Sequence, residues 1–222
     1  MTRVRAGTWN VHGFRAGVEP IARVVRTEGL DLLFVQESGP RRRLRELGER
    51  LGWVVCGDPR AFPRRRIRNA VLFGPDLGGS VRSGMVRFEG AALLQPRGAL
   101  IVRHGDRRTF ASIHLGLDRH QRLRHARQLL AALDGGTGAV VIGGDMNAHP
   151  DDPATEMLAE RYPDVWSDGG EEEGLTMPAA DPTARIDYLF ASHDVIPMRS
   201  WTAGDATMSD HLLVATELEL PG

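Results

Sequence analysis

The 222-residue sequence contains no lysine, so all 28 of its basic residues are arginine. It has one cysteine, Cys56, which excludes an internal disulfide framework and any zinc site built from several cysteines. No apolar run approaches the roughly 20 residues of a transmembrane helix. The first residues, MTRVRAGTWN, lack the apolar core of a secretory signal. These absences predict a cytoplasmic protein with no membrane span.

Charge is balanced overall but uneven along the chain. The 28 basic and 29 acidic residues nearly cancel, which argues against a histone-like coat for nucleic acid. The segment Arg41–Arg68 has ten arginines and three acidic residues, whereas Asp145–Asp187 has twelve acidic residues and two arginines. We expect an arginine-rich patch and a cation-attracting acidic region. The exclusive use of arginine has two explanations: the codon usage of a GC-rich genome, or a preference for forked donors that bind phosphate.

The order of predicted elements indicates the fold class. Hydrophobic residues make up 41% of the chain, and a chain of this length can bury roughly 70% of its unfolded surface. Hairpins join some strands and helices join others, which predicts one α+β domain over residues 1–222 with two stacked mixed sheets covered by helices. Predicted strands are 3–11, 30–35, 53–56, 70–73, 80–88, 98–104, 109–114, 139–142, 185–191 and 212–220, and predicted helices are 20–28, 41–51 and 118–133.

Polar side chains follow the apolar strands, at the points where a sheet presents functional groups on loops. The segments are TWNVHG, VQES, SIHL, GGDMNAHP, RIDY and MSDH. Carboxylates gathered at one sheet edge repel each other unless a cation or basic groups compensate them. Oxygen ligands without cysteine suit Mg²⁺ or Mn²⁺ better than zinc.

These motifs resemble those of the endonuclease/exonuclease/phosphatase superfamily, whose fold is that of DNase I, exonuclease III, neutral sphingomyelinases and inositol-polyphosphate 5-phosphatases. The resemblance extends from about Gly7 to Glu217, because TWNVHG, VQES, RNAVLF, SIHLG, GGDMNAHP, RIDYLF and SDH occur in the family's order. It implies a DNase I-like four-layer α+β sandwich of two mixed sheets flanked by helices. It also implies a Mg²⁺-dependent hydrolase of phosphodiester bonds, with Mn²⁺ as another suitable ion.

The resemblance further implies roles for the matching residues. Asn10 and Glu37 correspond to ligands of the catalytic metal, with Asp210 beside them. Asp145 and Asn147 correspond to the pair that activates the attacking water and holds the phosphate. His211 corresponds to the catalytic histidine, supported by Asp187, and His114 to a second histidine that donates to a phosphoryl oxygen. Asn69 corresponds to an asparagine that approaches the phosphate. Whether Asp145 or His211 takes the proton of the water, and whether one or two metals act, stays open.

Each of these residues also has a purely structural interpretation. Asn10 could cap a turn, Glu37 could be a charge at a helix start, and Asp145 with Asn147 could form an Asx-turn. His114 could be a satisfied residue at a strand end, and Asp210 could be an N-cap. Outside these motifs we expect surface histidines, at positions 12, 104, 120, 125, 149 and 193, and we expect the four tryptophans to be core or edge residues.

The substrate is less constrained than the reaction. The residue before RIDY is Ala184 and SDH is followed by Leu212-Leu213, which departs from the aromatic residue and the Cys-Pro-like pair of abasic-site endonucleases. The leading hypothesis is a nuclease-like phosphodiesterase acting on DNA or RNA, whose backbone the arginines 41–43 and 64–68 would follow. The alternatives are a small-molecule or lipid phosphodiesterase or phosphomonoesterase, and a degenerate binding module. No obligate protein partner is evident.

Overall fold

A computed structural model describes residues 1–60, 66–90, 96–136 and 138–222. Arg64 and Arg65 of the predicted arginine patch lie outside these ranges. The described strands are β1 (Thr2–Asn10), β2 (Leu32–Gln36), β3 (Val54–Gly57), β4 (Ala70–Phe73), β5 (Val81–Arg87), β6 (Gly98–His104), β7 (Arg108–His114), β8 (Ala139–Asp145), β9 (Asp187–Ala191), β10 (Ile196–Ala203) and β11 (Leu213–Leu220). The α-helices are α1 (Glu19–Thr27), α2 (Arg41–Leu51), α3 (Arg119–Leu133), α4 (Pro153–Arg161) and α5 (Trp166–Gly169).

The strands form two mixed sheets, as the sequence predicts. The first has the order β10-β11-β1-β2-β4-β3 and the second the order β5-β6-β7-β8-β9. Strands β1 and β2 are parallel neighbours in the first sheet, and β7 and β8 are parallel neighbours in the second. Each parallel pair brings two carboxyl ends to one edge of its sheet, and these edges carry the motif residues.

Three clusters of buried apolar side chains separate four layers. Between the sheets, residues such as Phe34 of β2 and Phe110 of β7 meet edge to face, with ring centroids 6.5 Å apart. Helices α1 and α2 cover the outer face of the first sheet, where Ile21 is fully buried. Helices α3 and α4 cover the outer face of the second sheet with Leu129 and Leu158. This arrangement confirms the predicted α+β sandwich.

Gly143 lets the two sheets approach next to the motif residues of β8. A Cβ atom on Gly143 would lie 2.4 Å from the Phe34 ring, and one on Gly144 would lie 2.4 Å from the Ile113 carbonyl oxygen. Only glycine fits at such distances without moving the neighbouring backbone or ring. The GG pair therefore places Asp145, the next residue, close to the first sheet.

Two of the expected surface histidines are buried, so that prediction is wrong for them. His104 lies against the rings of Phe73 and Phe110, and burial lowers the pKa of its imidazole. His125 of α3 stacks on Phe88 and is fully buried. Histidine composition alone does not show which face of an element packs inward. No helix in the described ranges is long and apolar enough to cross a membrane.

Candidate active site

The motif residues of the first sheet meet at one edge because of strand pairing. In the parallel pair β1–β2, Asn10 is opposite Gln36, so Glu37 follows directly beside Asn10. Strand β11 runs antiparallel to β1, and therefore the preceding residues Asp210 and His211 lie near the end of β1. The structure thus brings together residues that are up to 200 positions apart in the sequence.

The second sheet contributes three neighbours in register. His114 at the end of β7 is opposite Asp145 of β8, which in turn is opposite Asp187 of β9. The Asn10 amide joins the two sheets, since its Nδ2 donates to Asp145 Oδ2 at 3.0 Å. Because both sheets present their edges on the same side, their motif residues line one site.

His211 and Asp187 form a buried hydrogen-bonded pair. His211 Nδ1 is 2.8 Å from Asp187 Oδ2, and the Thr176 hydroxyl donates to the same oxygen at 2.7 Å. Asp187 Oδ1 is buried without a hydrogen-bond partner among the described residues. Burial by itself lowers the pKa of His211, but the carboxylate of Asp187, assisted by Asp145 and Asp210, raises it to about 9. His211 is therefore an imidazolium at neutral pH.

Buried contacts hold the loop that carries His211. The indole Nε1 of Trp9, which is fully buried, donates to the His211 carbonyl oxygen at 2.9 Å. The Ser209 hydroxyl donates to the Asn10 carbonyl oxygen at 2.6 Å. The expected core role of Trp9 is confirmed, and the ring also positions the catalytic loop.

His114 is neutral in this site. Its Nε2 is 3.2 Å from Asp145 Oδ2, and Nη1 of Arg97 is 2.6 Å from its Nδ1 and 2.5 Å from its Nε2. Burial is the main reason that the pKa of His114 is lowered to about 3. The positive charges of Arg97 and His211 also lower it, whereas the Asp145 carboxylate raises it. With His114 uncharged, the positive charge on this side of the site comes from Arg97.

Arg97 is the site residue that the motif comparison did not identify. Burial lowers the pKa of its guanidinium, while the carboxylates of Asp145 and Glu37 act in the opposite direction. Arg97 therefore lies beside His114 and interacts electrostatically with both Asp145 and Glu37. In the sequence it is one arginine before an apolar strand in a chain with 28 of them, so no local signal distinguishes it.

The two asparagines that are predicted to bind phosphate differ in the number of amide hydrogens that remain free. Asn69 is buried, and its Nδ2 donates to the carbonyl oxygens of Gly98 (2.8 Å) and Ser112 (3.0 Å), which uses both amide hydrogens. Asn147 Nδ2 donates only to the Leu115 carbonyl oxygen at 3.1 Å. Asn147 therefore retains an amide hydrogen for a ligand, whereas direct phosphate contact by Asn69 stays a prediction.

Two side chains of the site, those of Asp145 and Asn10, also accept hydrogen bonds that form local turns. The Asn147 backbone N–H donates to Asp145 Oδ1 at 2.9 Å, and the His12 N–H donates to Asn10 Oδ1 at 3.1 Å. His12, Glu37 and Asn147 have φ of 44°, 49° and 49°. Such left-handed backbone costs roughly 1–3 kcal/mol at a residue other than glycine and is concentrated at functional sites. The turn interpretation of Asn10 and of Asp145 with Asn147 is therefore confirmed, and their functional roles stay predictions.

The carboxylates offer two places for a cation. Asp145, Asp187 and His211 each present a ligand atom, and these atoms lie within 4.8 Å of one another. Glu37 is half-buried, and no described residue donates a hydrogen bond to its carboxylate or pairs with it at ion-pair distance. The exposed carboxylate of Asp210 is 3.3 Å from His12 Nδ1.

Comparisons with known proteins agree with this geometry. The model of the Endonuclease/Exonuclease/phosphatase family matches residues 7–211, whereas the sequence matches none of the curated proteins. An endonuclease/exonuclease/phosphatase from Bacteroides vulgatus superposes with a TM-score of 0.82 at 15% identity, and all of both chains is covered. The mannosyl-6-phosphatase of Bacteroides thetaiotaomicron gives 0.77 at 16% identity, covering 98% of this chain and all of the other.

A third similar structure is D. rerio TDP2 complexed with a single-strand DNA product. Its TM-score is 0.76 at 18% identity, covering 99% of this chain and all of the other. At these identities the likenesses establish the fold, and the family match rests on the sequence motifs themselves. The chain belongs to the endonuclease/exonuclease/phosphatase family.

Proposed function

We propose that the protein is a Mg²⁺-dependent phosphodiesterase that acts on nucleic acid. The observation that carries the proposal is the gap between His211 and Asp145. His211 Nε2 and Asp145 Oδ2 are 4.0 Å apart, too far for a hydrogen bond. His211 Nε2 can therefore donate to a ligand oxygen instead of to Asp145. A phosphate oxygen at His211 and a water molecule at Asp145 would then be neighbours in the site.

The charges of the two groups support a division of roles between them. The surrounding carboxylates raise the pKa of His211 to about 9, so in this proposal His211 donates to an oxygen of the phosphate and does not take a proton from water. The Asp145 carboxylate orients the water and accepts its proton. Asn147 donates its remaining amide hydrogen to the phosphate, and Arg97 stabilises the negative charge that develops on the phosphoryl oxygens.

Glu37, Asn10 and Asp210 fit a divalent cation. Their donor atoms are carboxylate and amide oxygens, which Mg²⁺ prefers, and the Glu37 carboxylate has no described hydrogen-bond or ion-pair partner. The Asp145–Asp187–His211 cluster fits less well, because one of its three members is an imidazole paired with Asp187 whose pKa is raised to about 9. A cation at Glu37 would neutralise charge on the phosphoryl and leaving oxygens.

The substrate class is supported by two observations. The first is that D. rerio TDP2, which superposes with a TM-score of 0.76, forms a complex with a single-strand DNA product. The second is the arginine-rich surface beside Glu37. The mannosyl-6-phosphatase of Bacteroides thetaiotaomicron superposes with a TM-score of 0.77. A phosphomonoester of a small molecule is therefore the second candidate substrate.

A panel of phosphoesters tests the proposal. We expect hydrolysis of bis-p-nitrophenyl phosphate and of single-stranded DNA with Mg²⁺, and no hydrolysis with EDTA or in His211→Gln. Hydrolysis of sugar phosphates with no activity on diesters would favour the phosphomonoesterase. Binding of DNA without hydrolysis of any compound would indicate a binding module.

A further inference from the structure

A cleft beside Glu37 is lined by four arginines without carboxylate partners. Arg15, Arg41, Arg66 and Arg68 share with Glu37 the walls of a cavity of about 510 Å³, and we call this group the arginine cleft. None of the four forms an ion pair within the described parts of the chain. Arginines elsewhere in the described ranges do pair with carboxylates, namely Arg3, Arg5, Arg26, Arg50, Arg60, Arg82, Arg122, Arg185 and Arg199.

Neutral groups, not carboxylates, hold the inner part of the arginine cleft. Arg66 is 7% exposed, and its Nη2 donates to the Gly39 carbonyl oxygen. Arg41 Nη2 donates to the Asp58 carbonyl oxygen at 2.8 Å. The buried carboxylate of Asp58 accepts the backbone N–H groups of Arg60 at 3.0 Å and Ile67 at 2.8 Å, and its ion-pair partner is Arg60 at 3.7 Å. The positive charge of the cleft is therefore not neutralised by direct contact.

The electrostatics agree with an uncompensated charge. Burial lowers the pKa of Arg66, Arg41 and Arg68 lower it further, and Asp58 only partly opposes them. A buried cation beside like charges is unfavourable unless an anion compensates it. Guanidinium groups donate in parallel pairs, which suits an anion with several oxygens, such as phosphate.

The arginine cleft is continuous with the catalytic site. Glu37, a proposed cation ligand, forms part of its wall together with His12, which follows β1. The loop that carries Arg15 is held from α2, because Arg43 Nη1 donates to the Phe14 carbonyl oxygen. Arg15, Arg41 and Arg68 are exposed, so a ligand can reach them.

We propose that the arginine cleft binds a second phosphate group of the substrate, adjacent to the phosphate that is hydrolysed. This inference rests on the proposed phosphodiesterase function and specifies its substrate as a compound with at least two phosphates. The second phosphate could be a terminal monoester of a small molecule or an internal diester of a polynucleotide. Both have the chemistry that the cleft recognises.

Dinucleotides with and without a terminal phosphate test the proposal. The wild-type protein should hydrolyse TpT with a 5′- or a 3′-terminal phosphate at a kcat/KM about ten- to a hundredfold above that of TpT, through KM. The Arg15→Ala/Arg68→Ala variant should lose this preference and keep the TpT rate. If oligothymidylate without terminal phosphates shows the same preference, the second phosphate is an internal diester. A preference confined to terminal phosphates identifies a monoester.

Arg23→Ala is the matched control, because Arg23 is an exposed arginine of α1 that does not line the cleft. It should keep the preference. Equal kcat/KM for all three dinucleotides in the wild type, or a preference that survives in Arg15→Ala/Arg68→Ala, would overturn the proposal.

A binding measurement separates this inference from the proposed function. If no phosphodiester is hydrolysed, the proposed function fails, and calorimetry with inorganic pyrophosphate still tests the arginine cleft. The wild-type protein should bind pyrophosphate about tenfold or more tightly than Arg15→Ala/Arg68→Ala. Equal affinities of the two proteins for pyrophosphate, or no binding by the wild type at millimolar pyrophosphate, would refute phosphate binding by the arginine cleft.

Discussion

Replacing Asp187 with asparagine should abolish the high pKa of His211. The value of about 9, compared with the ordinary 6.5, corresponds to roughly 3 kcal/mol of preferential stabilisation of the imidazolium. Asparagine can still accept the Thr176 hydroxyl but has no charge. Burial then dominates, and we expect the pKa of His211 to fall below 6.5. At pH 8 the imidazole should change from about 90% protonated to a few per cent.

The effect on stability has a defined sign. A raised histidine pKa contributes stability that is fully present below pH 6.5 and is lost as the pH rises through about 9. Asp187→Asn should therefore lower the free energy of unfolding by roughly 3 kcal/mol at pH 6 and by little at pH 10. Titration of the imidazole resonances by NMR and urea unfolding at both pH values measure the two quantities.

Asp210→Asn is the control, because Asp210 is exposed and is the weakest of the carboxylates that raise the pKa of His211. It should change the pKa much less. Asp187→Asn and His211→Ala should each reduce kcat by several orders of magnitude, and the double variant should lose little more. A pKa that stays near 9 in Asp187→Asn, or equal destabilisation at pH 6 and pH 10, would refute the reasoning.

Four further outcomes are expected. If His211 acts as the imidazolium, as proposed, kcat should fall as the pH rises through about 9. A kcat that instead rises as the pH is raised through about 9 would identify His211 as the base. Glu37→Gln should weaken Mg²⁺ binding in calorimetry and abolish activity without changing the circular dichroism spectrum, and full activity at limiting Mg²⁺ would contradict the ligand assignment. Arg97→Gln should reduce kcat about a hundredfold and raise the pKa of His114 from about 3, measured by kinetics and NMR; an unchanged kcat would exclude a role for Arg97. Trp9→Phe removes the hydrogen bond to the His211 carbonyl oxygen and should cost about 1 kcal/mol of stability and reduce kcat, whereas a loss of stability alone would show that the indole does not position the loop.

Much of the fold was predictable because local patterns are strong where an element is regular. The predicted bounds of α2, β4 and β6 are the observed ones. The helix α4 and the edge strand β10 were not predicted. Strand β10 contains Pro197 and a bulge between Pro197 and Arg199, which interrupt the alternation on which strand prediction depends.

The sequence by itself determined the family and the motif residues, because the motifs at the strand ends occur in an order typical of one family. These motifs contain Asn10, Glu37, Asp145, Asp187 and His211. That information is local: each motif needs only a residue type next to an apolar strand. The positions of the motifs relative to one another follow from strand pairing. Pairing brings residues that are far apart in the sequence to neighbouring positions of a sheet.

Only the tertiary structure decided the charges and the additional cations of the site. The proton on His211 depends on a carboxylate 24 residues away at 2.8 Å, and the neutrality of His114 depends on burial and on the neighbouring Arg97. Likewise, Arg97 looks like any other arginine in the sequence, and the predicted arginine patch does not show that Arg66 is one of its buried members. Burial and nearby charges, which exist only once the sheets have packed, distinguish the arginines that need an anion from those that already have one.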